Sequence, residues 1–263
     1  MALFLNQFLK IKNEIAFKGI ALCKNQTMTN NFCIILTSTI YVNPTKDWVI
    51  MTDPNERLTI NLKSIKQWLD ESNFKIVLVD NSGHTFPELN DYVDKYKTRF
   101  EIISFVEKDI DVEVLANAGA LTIQCVDNWL YTSKGTSEMF AIYHARHKSR
   151  LINNSKFVIK VTCRYFVKEL ENFLKIVNVD NYSALRQNCA DNCEIVGCHI
   201  NSFSDLFMPA HFKCSYGLQH LHIESLYKNR IFTKFPEEKV LVCDKFQIEP
   251  TPMGGANCIK TEL

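Results

Sequence analysis

Six near-continuous apolar runs punctuate the chain: FCIILTSTIYV (32–42), FKIVLVD (74–80), FEIISFV (100–106), KFVIKVTCRYFV (156–167), CEIVGCHI (193–200) and KVLVCDKFQI (239–248). Runs of this length without strict alternation read as strands buried on both faces. Between the first two, Leu58, Leu62, Ile65 and Leu69 recur at helical spacing and predict a helix over 55–71. Asp53-Pro54 opens it, with Asp near the cap and Pro in the first turn. Further helices are predicted over 87–97, 135–149, 168–177 and 218–230, the second starting at Gly135-Thr136-Ser137. Asn43-Pro44 and Asn81-Ser82-Gly83 close the first two strands.

Strand and helix therefore alternate as β-α-β-α-β over residues 32–106. That order implies a parallel sheet with right-handed crossovers. The expected class is α/β: a Rossmann-like, mostly parallel sheet flanked by helices. Residues 1–31 are expected to be an N-terminal extension, and 32–263 a single domain whose C-terminal third caps the sheet. The tail TPMGGANCIKTEL (251–263) is expected either to be flexible or to fold over a site. Ligands of such sheets lie beyond the carboxyl ends of the strands. Asp80 to Gly83 and the loop 43–54 occupy such ends.

Composition narrows the picture. A length of 263 residues fits one large domain or two small ones. With 46% hydrophobic and 22% charged residues, disorder and fibrous architectures are excluded. The 30 basic and 29 acidic residues leave a net charge of +1, which argues against a nucleic-acid partner. Ten cysteines are scattered, and several, such as Cys33 and Cys243, sit inside apolar runs, as buried reduced thiols do. No run approaches the ~20 apolar residues of a membrane span. MALFLNQFLKIKNE makes a poor signal peptide. The expected location is cytoplasmic, with peripheral membrane attachment left open.

Several residues carry candidate chemistry. Asp80 ends a buried strand and can accept hydrogen bonds from a base or ribose, or can mark a turn. The Ser82-Gly83 turn after it would let the backbone approach a ligand. Arg57, in the first turn of the first helix, offers a guanidinium fork suited to a diphosphate, or lies solvated. Lys134 and Gly135 precede a helix start that can hold an anionic group. Period-2 reading of KVTCRYF places Lys160, Thr162 and Arg164 on one face of a central strand. Two cations there need an anionic ligand or carboxylates to compensate them. Cys189, Cys193, Cys198 and His199, with His211 and Cys214, could supply four zinc ligands, though not at the usual spacing. In GLQHLHIESLYKNR, His220 and Glu224 share a helix face, and Glu224 could act as a general base.

The order of these motifs resembles GT-A-type glycosyltransferases. IILTSTI, then Arg57 with LKSIKQWL, then VLVDNSG resembles their nucleotide-binding half. VDNSG, KGTSEMFAIYHA, FVIKVTCRYF, the Glu224 helix and PMGG resemble small glycosyltransferase-like proteins of bacteria and large DNA viruses. The resemblance spans residues 32–255 and implies a GT-A-like fold. It also implies transfer of a sugar from a nucleoside-diphosphate donor to a hydroxyl acceptor on a glycan or glycoconjugate. Asp80, with Asn81, would hold the nucleoside. Arg57, Lys134, Lys160 and Arg164 would neutralise the diphosphate. Glu224 or Asp205 would deprotonate the acceptor, and Gly254 and Gly255 would close over the donor. The family's Asp-x-Asp, which binds Mn²⁺ or Mg²⁺, is replaced by Thr162-Cys163-Arg164. No cofactor is therefore certain: Mn²⁺ or Mg²⁺ is left open, and protein cations could take over the electrostatic role. Two other classes remain. A sugar nucleotidyltransferase would need a Gly-rich loop that TSTIYVNPTKD lacks. A non-catalytic GT-A-like or zinc-stabilised module would use the fold for binding.

Overall fold

The structure is a computed structural model, and it describes residues 31–44, 49–109, 134–209, 213–214, 217–218 and 222–263. Its strands are β1 (Phe32–Ser38), β2 (Lys75–Asp80), β3 (Phe100–Ser104), β4 (Phe157–Thr162), β5 (Ala184–Arg186), β6 (Ile195–His199), β7 (Lys213–Cys214), β8 (Gly217–Leu218), β9 (Val240–Val242), β10 (Gln247–Pro252) and β11 (Ile259–Glu262). Its helices are α1 (Pro54–Glu71), α2 (Asn90–Lys95), α3 (Lys134–Lys148), α4 (Arg150–Asn153), α5 (Leu170–Ile176), α6 (Phe203–Phe207) and α7 (Ile223–Lys234).

Seven strands form one sheet in the order β3-β2-β1-β4-β6-β5-β9. All are parallel except β6, which runs antiparallel to both neighbours. β1 is buried at all seven positions because both its faces are covered. Ile34 and Leu36 pack with Ile65, Trp68 and Leu69 of α1 on one side. Cys33 and Ile35 pack with Met139 and Ile142 of α3 and with Leu226 of α7 on the other. Each such side chain, fully buried, contributes about 1.5–3 kcal/mol of transfer free energy. The start of α1 is as expected: Pro54 sits in the first turn and the Asp53 carboxylate accepts from Asn55 N at 2.9 Å. The class is thus α/β, a mostly parallel sheet flanked by helices, as the resemblance implied.

Several boundaries differ from expectation. β4 stops at Thr162, where a turn closes through Tyr165 N donating to Thr162 O at 3.0 Å. Arg164 therefore leaves the face that Lys160 and Thr162 share. The last apolar run splits: Val240–Val242 joins the sheet edge, while Gln247 begins an antiparallel hairpin, β10–β11. The tail is built into this hairpin. The segment 87–97 forms a 3₁₀ turn, Pro87–Leu89, followed by α2. α7 begins at Ile223 instead of residue 218. His220, expected to share a face with Glu224, lies outside the described residues, as do residues 1–30 of the expected extension. Among the described residues, no helix is long and apolar enough to cross a membrane.

Candidate functional site

A cavity of about 340 Å³ opens beyond the carboxyl ends of β1 and β4. Thr37 to Thr39 form its floor, α1 contributes Arg57, α3 contributes Lys134, Gly135 and Glu138, and α7 contributes Glu224. The turn between β10 and β11 supplies Met253 to Ala256. Of the residues singled out in the sequence, Arg57, Asn81, Lys134, Gly135, Lys160, Arg164, Glu224, Gly254 and Gly255 all reach this one space.

Asp80 and Asp205 do not. Asp80 is fully buried, and its carboxylate accepts five hydrogen bonds. Ser38 Oγ and Ile40 N donate to Oδ2 at 2.9 and 3.2 Å. Ser82 N, Ser82 Oγ and His84 N donate to Oδ1 at 2.8, 2.6 and 3.3 Å. With its lone pairs spent on the chain, Asp80 ties the ends of β1 and β2 together. Asn81 is likewise tied, its Oδ1 accepting from Thr39 Oγ1 at 2.6 Å. Gly83 adopts φ 88°, and a Cβ there would stand 2.6 Å from Val106 Cγ2, so its close approach is to β3's continuation and not to a ligand. Asp205 lies exposed on the short α6, away from the cavity lining.

The cations of the cavity fall into two kinds. Lys160 is 1% exposed, and its Nζ lies 2.6 Å from Glu138 Oε1 while donating to Cys193 O at 2.8 Å and Thr162 Oγ1 at 3.2 Å. Burial, the largest single influence, lowers its pKa, but the charge and hydrogen bond of Glu138, joined by the charge of Glu194, together hold it above the ordinary lysine value. A carboxylate of α3 thus provides the compensation that the sequence demanded. Arg57 and Arg164 are different: among the described residues neither forms an ion pair. Arg57 spends Nε on Thr39 O at 2.6 Å and Nη1 on Met51 O at 2.9 Å. Burial first, and the charge of Arg164 second, push its pKa down to about 10. Arg164 Nη1 is buried with no hydrogen-bond partner among the described residues.

Glu194 and Glu138 were not among the residues that the sequence singled out. Glu194 stands just before β6, lines the cavity, and forms an ion pair with Lys260 of β11. Burial would raise its pKa, yet the Lys260 hydrogen bond and charge hold it below the ordinary carboxylate value. Its Oε2 is buried and unpartnered, as is Thr37 Oγ1 on the floor. Unpaired buried polar atoms are rare in folded proteins and call for an explanation such as a ligand. The only signal for Glu194 in the sequence was an acidic residue opening an apolar run.

A divalent cation needs hard oxygen ligands. At the end of β4, where the resemblance would place two carboxylates, stand the Thr162 hydroxyl, the buried Cys163 thiol and the Arg164 guanidinium. Burial raises the Cys163 pKa and keeps the thiol neutral. Two of the cavity's carboxylates, Glu138 and Glu194, are engaged by lysines. The residues present do not fit a Mn²⁺ or Mg²⁺ site. Among the described residues no three His, Cys, Asp or Glu side chains gather as metal ligands. Of the zinc candidates, Cys189 is exposed, Cys193 and Cys198 are buried free thiols, His211 lies outside the described residues, and nothing is described of the Cys214 side chain.

No family model matches the chain, and no curated protein matches it. Solved structures do, at low identity. One is described as a nucleotide-diphospho-sugar transferase from Desulfovibrio desulfuricans G20, at 12% identity and TM-score 0.43 over 81% of this chain and 79% of that one. Residues 1–349 of TarS from S. aureus match at 12% identity and TM-score 0.43 over 81% of this chain, which spans 58% of the TarS chain. The 4-diphosphocytidyl-2C-methyl-D-erythritol synthase from Anaerococcus prevotii matches at 11% identity and TM-score 0.44 over 88% of this chain and 92% of that one.

Proposed function

We propose that the protein is a glycosyltransferase that moves a sugar from a nucleoside-diphosphate donor to a hydroxyl of a glycan or glycoconjugate. The observation that carries this reading is one cavity at the strand ends where Arg57, Lys134 and Arg164 share the lining with the half-buried carboxylate of Glu224. Cations suit a diphosphate leaving group, and a carboxylate suits an acceptor hydroxyl. In the reaction, the acceptor oxygen attacks the anomeric carbon as Glu224 takes its proton. The bond from the anomeric carbon to the phosphate oxygen breaks, and the electron pair leaves with the diphosphate. Thr37 Oγ1 and Glu194 Oε2, buried and unpartnered among the described residues, would pair with donor hydroxyls in this reading. Asp80 and Asn81 shape the loops that frame the nucleoside.

The test is release of nucleoside diphosphate from a panel of nucleotide sugars, with a glycan array as acceptor and Glu224→Gln as control. Release that depends on acceptor and disappears in the variant supports the reading. Donor binding without release from any donor favours a non-catalytic GT-A-like module instead.

A further inference from the structure

Resting on that reading, we propose that Arg57 and Arg164 neutralise the donor's diphosphate in place of a divalent cation, and that Gly254 is the residue that lets Arg164 take that place. The two guanidinium groups are held by one chain of contacts. An ideal Cβ at Gly254 would lie 2.3 Å from Arg164 Nη1 and 2.4 Å from Nη2, so the guanidinium occupies the space a side chain would need. Gly254 O in turn accepts from Ile50 N at 3.0 Å and Met51 N at 3.4 Å. Met51 O accepts from Arg57 Nη1 at 2.9 Å. The hairpin turn, the segment before α1 and both arginines therefore form a single unit at the mouth of β1 and β4.

This unit is incomplete without an anion. Two guanidinium groups share one partly buried space, and among the described residues no ion pair neutralises either. Arg164 Nη1 still lacks an acceptor. Phosphate oxygens would satisfy it, and Arg57 keeps Nη2 beyond the two bonds it makes to the backbone. The carboxylates that would hold a metal are absent from the end of β4, and a divalent cation there would be repelled by Arg164. Arg57 is also preorganised by its two backbone bonds, and preorganised cations are what stabilise charge developing on a leaving group.

Gly254 makes the test discriminating. The atoms a new methyl group would meet belong to the far end of the Arg164 side chain, which can swing away. Gly254→Ala is thus expected to keep the fold and displace the guanidinium. Binding of UDP, GDP, CDP, ADP and inorganic pyrophosphate would be measured calorimetrically, in EDTA and in Mn²⁺ or Mg²⁺. One nucleoside diphosphate is expected to bind in EDTA about as tightly as with metal. Gly254→Ala and Arg164→Gln should each weaken binding in EDTA by about tenfold or more, the loss of one charged hydrogen bond. Binding that requires metal, or full affinity in both variants, overturns this inference and leaves the transferase reading standing. Pyrophosphate binding in EDTA with no nucleotide bound overturns the transferase reading and, with it, the assignment of the two arginines to a donor. No binding under any condition overturns both.

Discussion

Replacing Glu138 by Gln separates the two kinds of cation in the cavity. Lys160 is almost fully buried, and Glu138, with a side chain 24% exposed, is its ion-pair partner at 2.6 Å. Removing one partner of a buried pair costs about 3–5 kcal/mol, because the other charge is left uncompensated. The partial exposure of Glu138, and the amide oxygen that Gln retains, put the expected cost at the lower end, about 3 kcal/mol. For a chain of this size, ~2–4 °C per kcal/mol converts that into a drop in Tm of about 6–12 °C. The pH dependence carries a sign. In the native protein the folded pKa of Lys160 lies above the unfolded 10.5. The pair's contribution is therefore complete below pH 10.5 and is lost as pH rises through the folded value. In Glu138→Gln, burial is the largest remaining influence, opposed by the Glu194 charge, and the folded pKa is expected to fall below the unfolded one. The unfolded state then binds more protons, so the variant gains stability as pH rises toward 10.5. Urea unfolding followed by circular dichroism from pH 7 to 10 measures both effects. The deficit against the native protein should shrink with pH. A deficit under about 1 kcal/mol, or one flat across that range, would refute the assignment of Glu138 as the charge that holds Lys160.

Glu224→Gln should lower turnover by about 10²–10⁴-fold, the usual worth of a positioned base, with nucleoside-diphosphate affinity in calorimetry left nearly intact. Gly197→Ala should be far worse than its single methyl suggests. The new Cβ would stand 2.7 Å from Val158 O, a backbone atom of the neighbouring strand that cannot yield, and overpacking of this kind costs about 1–3 kcal/mol in thermal or urea unfolding. Asp80→Ala removes the acceptor of five hydrogen bonds in the core and should cost about 3 kcal/mol or more, with loss of soluble yield. An Asp80→Ala protein of native Tm that no longer binds nucleotide would instead put this carboxylate on the ligand.

The elements legible in the sequence were those whose cause is local. The apolar runs at 32–42 and 74–80 announced strands buried on both faces. Asp53-Pro54 announced a helix start that the Asn55 hydrogen bond realises. What stayed illegible depends on groups far apart in sequence. Asp80 reads identically whether its oxygens face a ligand or the amides of residues 40, 82 and 84, and only the packing of two loops decides. Glu194 becomes part of the cavity because β6 runs antiparallel beside β4, with Thr162 N donating to Glu194 O at 3.0 Å. The three residues of β5 are too few to show any period against their surroundings.

The fate of Lys160 and Arg164 shows how one strand boundary sets the character of the cavity. Four residues apart on an uninterrupted strand, both would have pointed toward α3, and both could have met Glu138. The turn at Cys163 and Arg164 ends the strand one period early. Lys160 stays on the α3 side and is neutralised there. Arg164 is carried toward the β10–β11 turn, where Gly254 leaves room for its guanidinium and where no carboxylate among the described residues is paired with it. The sequence carries both halves of this arrangement, the cation at 164 and the glycine at 254, ninety positions apart. Nothing in the sequence ties one to the other: the arginine reads as sharing a strand face with Lys160, and the glycine as part of a tail that closes over the donor. Brought together, they leave a partly buried positive charge that no ion pair among the described residues neutralises, as a seat for an anion would require.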